Sequence, residues 1–189
     1  MNKLTATLCS GLFLLTLSAC GGGGNATVTC ANQYWDGTVG TCLPSGWHVV
    51  DRTQLDSRGI PQEVVVAFQS DNPVAGQFVT VTVTSEPLNK QMTSSDYSDA
   101  SIQSVQAMPN YTKVDAQSVT IDGQKVTMNI FTAQPRSDQP KTRFYQVSAV
   151  NGMTGYTYTA ATPVSVDTTT EQQVELILKN ATFKAPSQK

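Results

Sequence analysis

The sequence predicts an α+β layered domain, an antiparallel sheet of about six or seven strands with two helices packed on it. Three stretches carry that prediction. Phe78 to Thr84 alternates strictly, with Val79, Val81 and Val83 on one face and Thr80, Thr82 and Thr84 on the other, the period of a half-buried strand. Asp122-Gly123, the dipeptide a type I′ turn wants, lies in the middle of Tyr111 to Ala133. Val174, Ile177, Leu178 and Ala181 recur at helical spacing near the C-terminus.

From the start of the chain, Lys3 is followed by an apolar run from Leu4 to Leu17 and then by the small residues Ser18 and Ala19. A charged, apolar, small-residue order is that of a secretory leader, and the run is short for a membrane span. The stretch Leu17-Ser18-Ala19-Cys20 resembles the lipobox of bacterial lipoproteins. That resemblance implies cleavage before Cys20, a lipid on its sulfur and an acylated amino group. Two or more chains hold a protein at a bilayer where one gives marginal binding. The alternative is an ordinary secretion signal in which Cys20 is incidental. Gly21 to Gly24 then read as a flexible tether.

The segment from Cys20 to Lys189 suits one domain. With 14 acidic and 12 basic residues the chain is mildly negative, and no clustered Lys and Arg form a nucleic-acid footprint. Exported chains keep disulfides, so Cys30 and Cys42 are expected to pair around Tyr34, Trp35 and Asp36-Gly37. On the chain-entropy view a closed loop of about 15 residues is worth ~3 kcal/mol. The competing reading is a pair of metal-binding thiolates, and no neighbouring Cys or His completes a four-ligand set for it. Tyr34 and Trp35 are candidate contact anchors on that rigid loop, or they fold back over the sheet edge as a small satellite core.

Trp47-His48-Val49-Val50 reads as a strand with Trp47 and Val49 on one face and His48 and Val50 on the other. Val64 to Phe68 is a β-branched run, read as a strand covered on both faces and bounded by an Asp71-Asn72-Pro73 turn. Ser95-Asp96 can cap a helix that places Tyr97, Ser101, Val105 and Met108 on one thin stripe before Pro109 stops it. A two-residue loop at Asp122-Gly123 sets Val119 opposite Val126 and Gln117 opposite Met128, so that Val119, Ile121, Val126, Met128 and Ile130 share a face. Arg143 to Val150 and Tyr156 to Ala161 form a second pair, with Tyr145, Val147 and Ala149 aligned on one strand and Tyr156, Tyr158 and Ala160 on the other. Thr168 with Glu171 has the capping-box spacing for the last helix, Asn180 ends it, and Thr182-Phe183 is a short extended piece.

This order of landmarks is similar to the PsbP-like family: the Gly46-Trp47 strand, the Tyr97-bearing helix, the Asp122-Gly123 hairpin, the strands around Tyr145 and Tyr156, and a closing helix ending at Thr182-Phe183. The resemblance implies an α/β/α sandwich around a central antiparallel sheet. Family members include the extrinsic photosystem II protein, a Ran-binding nuclear import factor and bacterial lipoproteins, so it points to binding or assembly work. The expected division is 1–19 leader, 20–29 lipidated cysteine and tether, 30–45 disulfide loop and 46–185 PsbP-like domain.

Catalysis finds little support in these residues. His48 is the single histidine, and no Gly-x-Ser-x-Gly elbow accompanies it. His48 with Asp51 would give two hard metal ligands, which do not define a site. No cofactor motif is present; Gly21 to Gly24 lacks the lysine and helix of a phosphate loop. The expectation is a non-catalytic, membrane-anchored envelope lipoprotein that docks a protein partner or small ligand. An envelope hydrolase using His48 and a cell-wall-binding structural protein are the alternatives.

Overall fold

The computed structural model describes residues 27–186. The leader, Cys20 and the Gly21 to Gly24 tether lie outside the described residues. A two-stranded hairpin opens the described chain, β1 (Asn32–Trp35) with β2 (Gly40–Leu43). The main sheet follows with β3 (Trp47–Val50), β4 (Val64–Val74) and β5 (Gln77–Pro87), then β6 (Thr112–Ile121), β7 (Gln124–Ala133), β8 (Thr142–Asn151) and β9 (Thr154–Pro163). Its helices are α1 (Arg52–Ser57), α2 (Ser94–Val105) and α3 (Thr168–Lys179).

The seven main strands are antiparallel throughout, in the order β3-β4-β5-β9-β8-β7-β6. The chain runs from β5 through α2 to the far edge at β6, then meanders back until β9 lies beside β5. One sheet face is apolar. Phe68, Val81, Ala160, Tyr145 and Ile130 form a row across five strands in register, and Val66, Val83, Tyr158, Val147 and Met128 form the next. Onto this face α3 sets Val174, Ile177 and Leu178, all fully buried, each worth about 1.5–3 kcal/mol by area. The β1–β2 hairpin covers the same face through Val39 and Leu43. The opposite face carries α1, whose Leu55 closes a small cluster with Val50 and Ala67, and α2, which crosses β7 and β8. Helices on both faces make the α/β/α sandwich.

The Asp122-Gly123 turn has φ of +51° and +88°, the pair of left-handed residues a type I′ turn requires. The register it sets is Val119 opposite Val126 and Gln117 opposite Met128, as the sequence predicts. Four local expectations change. The Asp71-Asn72-Pro73 stretch does not turn; β4 continues through an irregularity to Val74, and Ala75-Gly76, with φ of +49° and +77°, makes the reversal. Gly76 has no side chain to oppose that geometry, whereas Pro73 is tolerated in a strand at a register shift. The caps also move by a residue or more: Thr93 caps α2, accepting from the Asp96 N–H at 3.1 Å, and Asp167 caps α3, accepting from the Thr170 N–H at 2.8 Å. Glu171 is then free of capping duty and accepts from Tyr145 at 2.8 Å and Arg143 at 3.0 Å. Finally, α1 is a helix the sequence did not predict, while the expected Cys30–Cys42 loop is closed by its disulfide as a β-hairpin.

Candidate functional site

The polar face of the sheet is built from alternate residues of its central strands. Thr82, Thr159 and Gln146 lie in one register row, and Thr84, Thr157 and Ser148 in the next. A central strand covered on both sides normally reads apolar on both. Here α2 covers a polar surface with a polar stripe of its own. Ser94 accepts from the Val150 N–H at 2.8 Å and donates to Gln124, and Ser98 donates to the Thr127 carbonyl at 3.5 Å. This explains the thin apolar face of α2: the helix docks through hydroxyls.

Tyr97 is the large residue of that stripe. Its hydroxyl donates to Glu86 Oε1 at 2.8 Å and lies 3.5 Å from Thr157 Oγ1. Thr157 Oγ1 is 2.9 Å from Ser148 Oγ, which donates to Ser101 Oγ at 3.1 Å. Gln146 Nε2 donates to the same Ser101 oxygen at 2.6 Å. A connected run of side-chain bonds therefore extends from Glu86 to Gln146 beneath α2. Gln146, Ser148 and Thr157 are each at least nine-tenths buried. Burial pushes the Tyr97 hydroxyl up to about 12; the Thr157 bond opposes the rise and Glu86 adds to it. At neutral pH Tyr97 is a fixed donor.

Above this network lies a groove of about 440 Å³, floored by Thr84, Thr157, Thr159 and Gln146 and walled by α2 on one side and Glu63 and Glu86 on the other. A second hollow of about 380 Å³ shares Glu86, Tyr97 and Ala100 with it and continues toward Pro87, Leu88 and Met92. The Gln146 side-chain oxygen, Oε1, accepts no hydrogen bond among the described residues. The one sealed side-chain polar atom without a partner among those residues is Arg143 Nε, so the Gln146 oxygen is open to the groove.

The residues singled out in the sequence sit elsewhere. Cys30 and Cys42 form a disulfide. Tyr34 is half-buried, edge-on to Phe68 with ring centroids 5.1 Å apart, and its hydroxyl donates to Asp36 at 3.3 Å. Trp35 lies over Gly40, where an added Cβ would come 2.8 Å from its ring. His48 does not meet Asp51, which caps α1 by accepting from the Gln54 N–H. Instead His48 Nδ1 is 2.6 Å from Asp71 Oδ1, both side chains about half exposed. Among the described residues no hydroxyl or thiol is bonded to that ring, so a base and an orienting carboxylate stand without a nucleophile. Also among the described residues, no cluster of three or more His, Cys, Asp or Glu is disposed to hold a metal, and no helix is long and apolar enough to cross a membrane.

No family model and no curated protein matches the sequence. Solved structures do match. The chain is similar to cyanobacterial PsbP (CyanoP) from Synechocystis sp. PCC 6803, with a TM-score of 0.54 and 18% identity over 87% of this chain and 97% of that one. It is also similar to LpqN, described as involved in cell envelope biogenesis of Mycobacterium tuberculosis, with a TM-score of 0.52 and 9% identity over 80% and 88% of the two chains. The fold is PsbP-like. At these identities the likeness extends to the fold and not to particular side chains.

The PsbP-like sheet also separates the groove from the first described residues. Thr27 and Val28 lie beside Gln172, Leu176 and Lys179 of α3, on the layer opposite the groove. Sequence reasoning missed Gln146, Ser148, Thr157 and Glu86. The available signal was polar residues on both central strands β8 and β9, at positions where a covered strand should be apolar.

Proposed function

We propose that this protein is a lipid-anchored envelope protein, held outside the cytoplasm through Cys20, whose sheet groove docks a small polar ligand or a segment of a protein partner without catalysing a reaction. The observation that carries this reading is the open Gln146 oxygen above a buried hydrogen-bonded network. That oxygen is reached from the groove, so water meets it in the free protein and a ligand's donor can take the water's place with little desolvation cost. The leader pattern and the Cys30–Cys42 disulfide both fit an exported chain. The same fold serves LpqN, a protein involved in envelope biogenesis.

A photo-crosslinking side chain at Ser104 on the groove wall, compared with one at Lys179 on the far layer, tests this in native membranes. The expected result is a discrete adduct from position 104 that is absent from 179 and lost when Gln146→Ala is added to a chain of unchanged circular dichroism. Equal labelling from both positions, or none from 104, contradicts it.

A further inference from the structure

The hydrogen-bond inventory of the groove is one-sided. The Glu63 and Glu86 carboxylates only accept, the open Gln146 side-chain oxygen accepts, and among the described residues no Lys, Arg or His lines the cavity. Tyr97 already spends its proton on Glu86 Oε1, which fixes that carboxylate and leaves its second oxygen free of side-chain bonds among the described residues. Of the other lining hydroxyls, Ser104 already donates to the Ser101 carbonyl at 2.8 Å and Thr84 to the Thr157 carbonyl at 3.4 Å, which leaves both as acceptors, while Ser85 and Thr159 can give or take. An anionic ligand would meet two carboxylates with no counter-charge. An apolar one would strip water from the Thr and Gln floor and return no bonds. A bare polyamine would satisfy the carboxylates while laying methylenes against the hydroxyl floor. The complement is a molecule that carries many hydroxyl donors and a positive charge together.

We infer that the groove binds a saccharide bearing a free amine, its ammonium between Glu63 and Glu86 and its hydroxyls on Gln146, Thr84 and Thr159. The inference rests on the docking reading of the groove and names the chemistry of its occupant. An ammonium offers donors only, matching acceptor-only carboxylates, and sugar hydroxyls can adapt to threonine hydroxyls in either sense.

Calorimetric titration of the mature chain in detergent tests it with three probes: a glucosamine oligomer, the same oligomer N-acetylated, and spermine. Acetylation removes the charge and keeps the sugar skeleton, while spermine keeps the charge and removes the hydroxyls. The glucosamine oligomer is expected to bind, and each of the other two to bind about tenfold more weakly or worse. Binding should weaken with added salt. Glu63→Gln and Glu86→Gln should each weaken the glucosamine oligomer about tenfold at unchanged unfolding midpoint. If the acetylated oligomer or spermine binds as tightly, or if both Gln variants bind like the parent, the inference is overturned. If the glucosamine oligomer does not bind at millimolar concentration, the saccharide class is rejected. The Ser104 crosslink then reports separately whether the groove has a different occupant.

Discussion

Tyr97 rests on the bare Cα of Gly155. A Cβ built on Gly155 would lie 2.3 Å from Tyr97 Cζ and 2.6 Å from its hydroxyl oxygen. Gly155 pairs with Glu86 across β5 and β9, so the glycine, the tyrosine and the carboxylate that accepts its proton are placed by one register position. With a methyl at position 155 the ring could not enter between α2 and the sheet, and the groove would lose the residue that orients Glu86.

Gly155→Ala should therefore unseat Tyr97. The positive-φ argument does not apply at this position, so the cost is steric and falls in the range of about 1–3 kcal/mol for overpacking. Denaturant unfolding measures it. Combining Gly155→Ala with Tyr97→Leu should cost less than the sum of the two single changes, since one clash underlies part of both.

Asp122 has a second task beyond its turn. Its Oδ1 accepts from the Thr182 hydroxyl and its Oδ2 from the Phe183 N–H, each at 2.7 Å. This clasp holds Phe183 against Tyr156, with ring centroids 4.9 Å apart, and supports the Gly40–Thr182 bridge to the hairpin. Asp122→Asn keeps the left-handed turn, which Asn tolerates, but sets an NH₂ against one of two donors. The expected loss is about 1–3 kcal/mol. Hydrogen exchange should show faster opening of the 182–184 segment and little change in the β6–β7 ladder.

Acid stability should depend on the α3 cap. The Thr170 backbone N–H, then its hydroxyl, hold the Asp167 carboxyl below its ordinary value of 3.8. A depressed folded pKa means that the contribution is complete above 3.8 and disappears as pH falls below it through the folded value. Asp167→Asn keeps one capping oxygen but loses the ionised carboxylate, so it should lower stability at neutral pH and flatten the loss between pH 3.8 and lower values. Urea midpoints measured across that range provide the check.

The legible parts of the fold were those written in local pattern. Asp122-Gly123 gave the β6–β7 register from the turn as far as Asp115 opposite Ile130, because a two-residue loop fixes the pairing of the strands it joins. Val79, Val81 and Val83 declared their face by period, and α3 declared its stripe. What stayed hidden depended on partners distant in the chain. Asp71-Asn72-Pro73 has turn chemistry, yet pairing of Pro73 with Phe78 carries the strand past it. Arg52 to Ser57 is too short and too polar to announce a helix; it forms because Asp51 caps it and Arg52 bonds the carbonyls of Ile60, Pro61 and Val64. The groove was the least legible feature. Gln146, Ser148 and Thr157 look like ordinary solvated positions until α2 lays Ser101 over β8 and β9, which no spacing in the sequence declares.

The most direct test of a membrane-held domain is the mass of the N-terminal peptide from protein purified out of its native membranes. Cleavage before Cys20, with a thioether-linked diacylglyceryl group on its sulfur and an acylated amino group, is the predicted result. An unmodified amino terminus on protein released to the medium would contradict it.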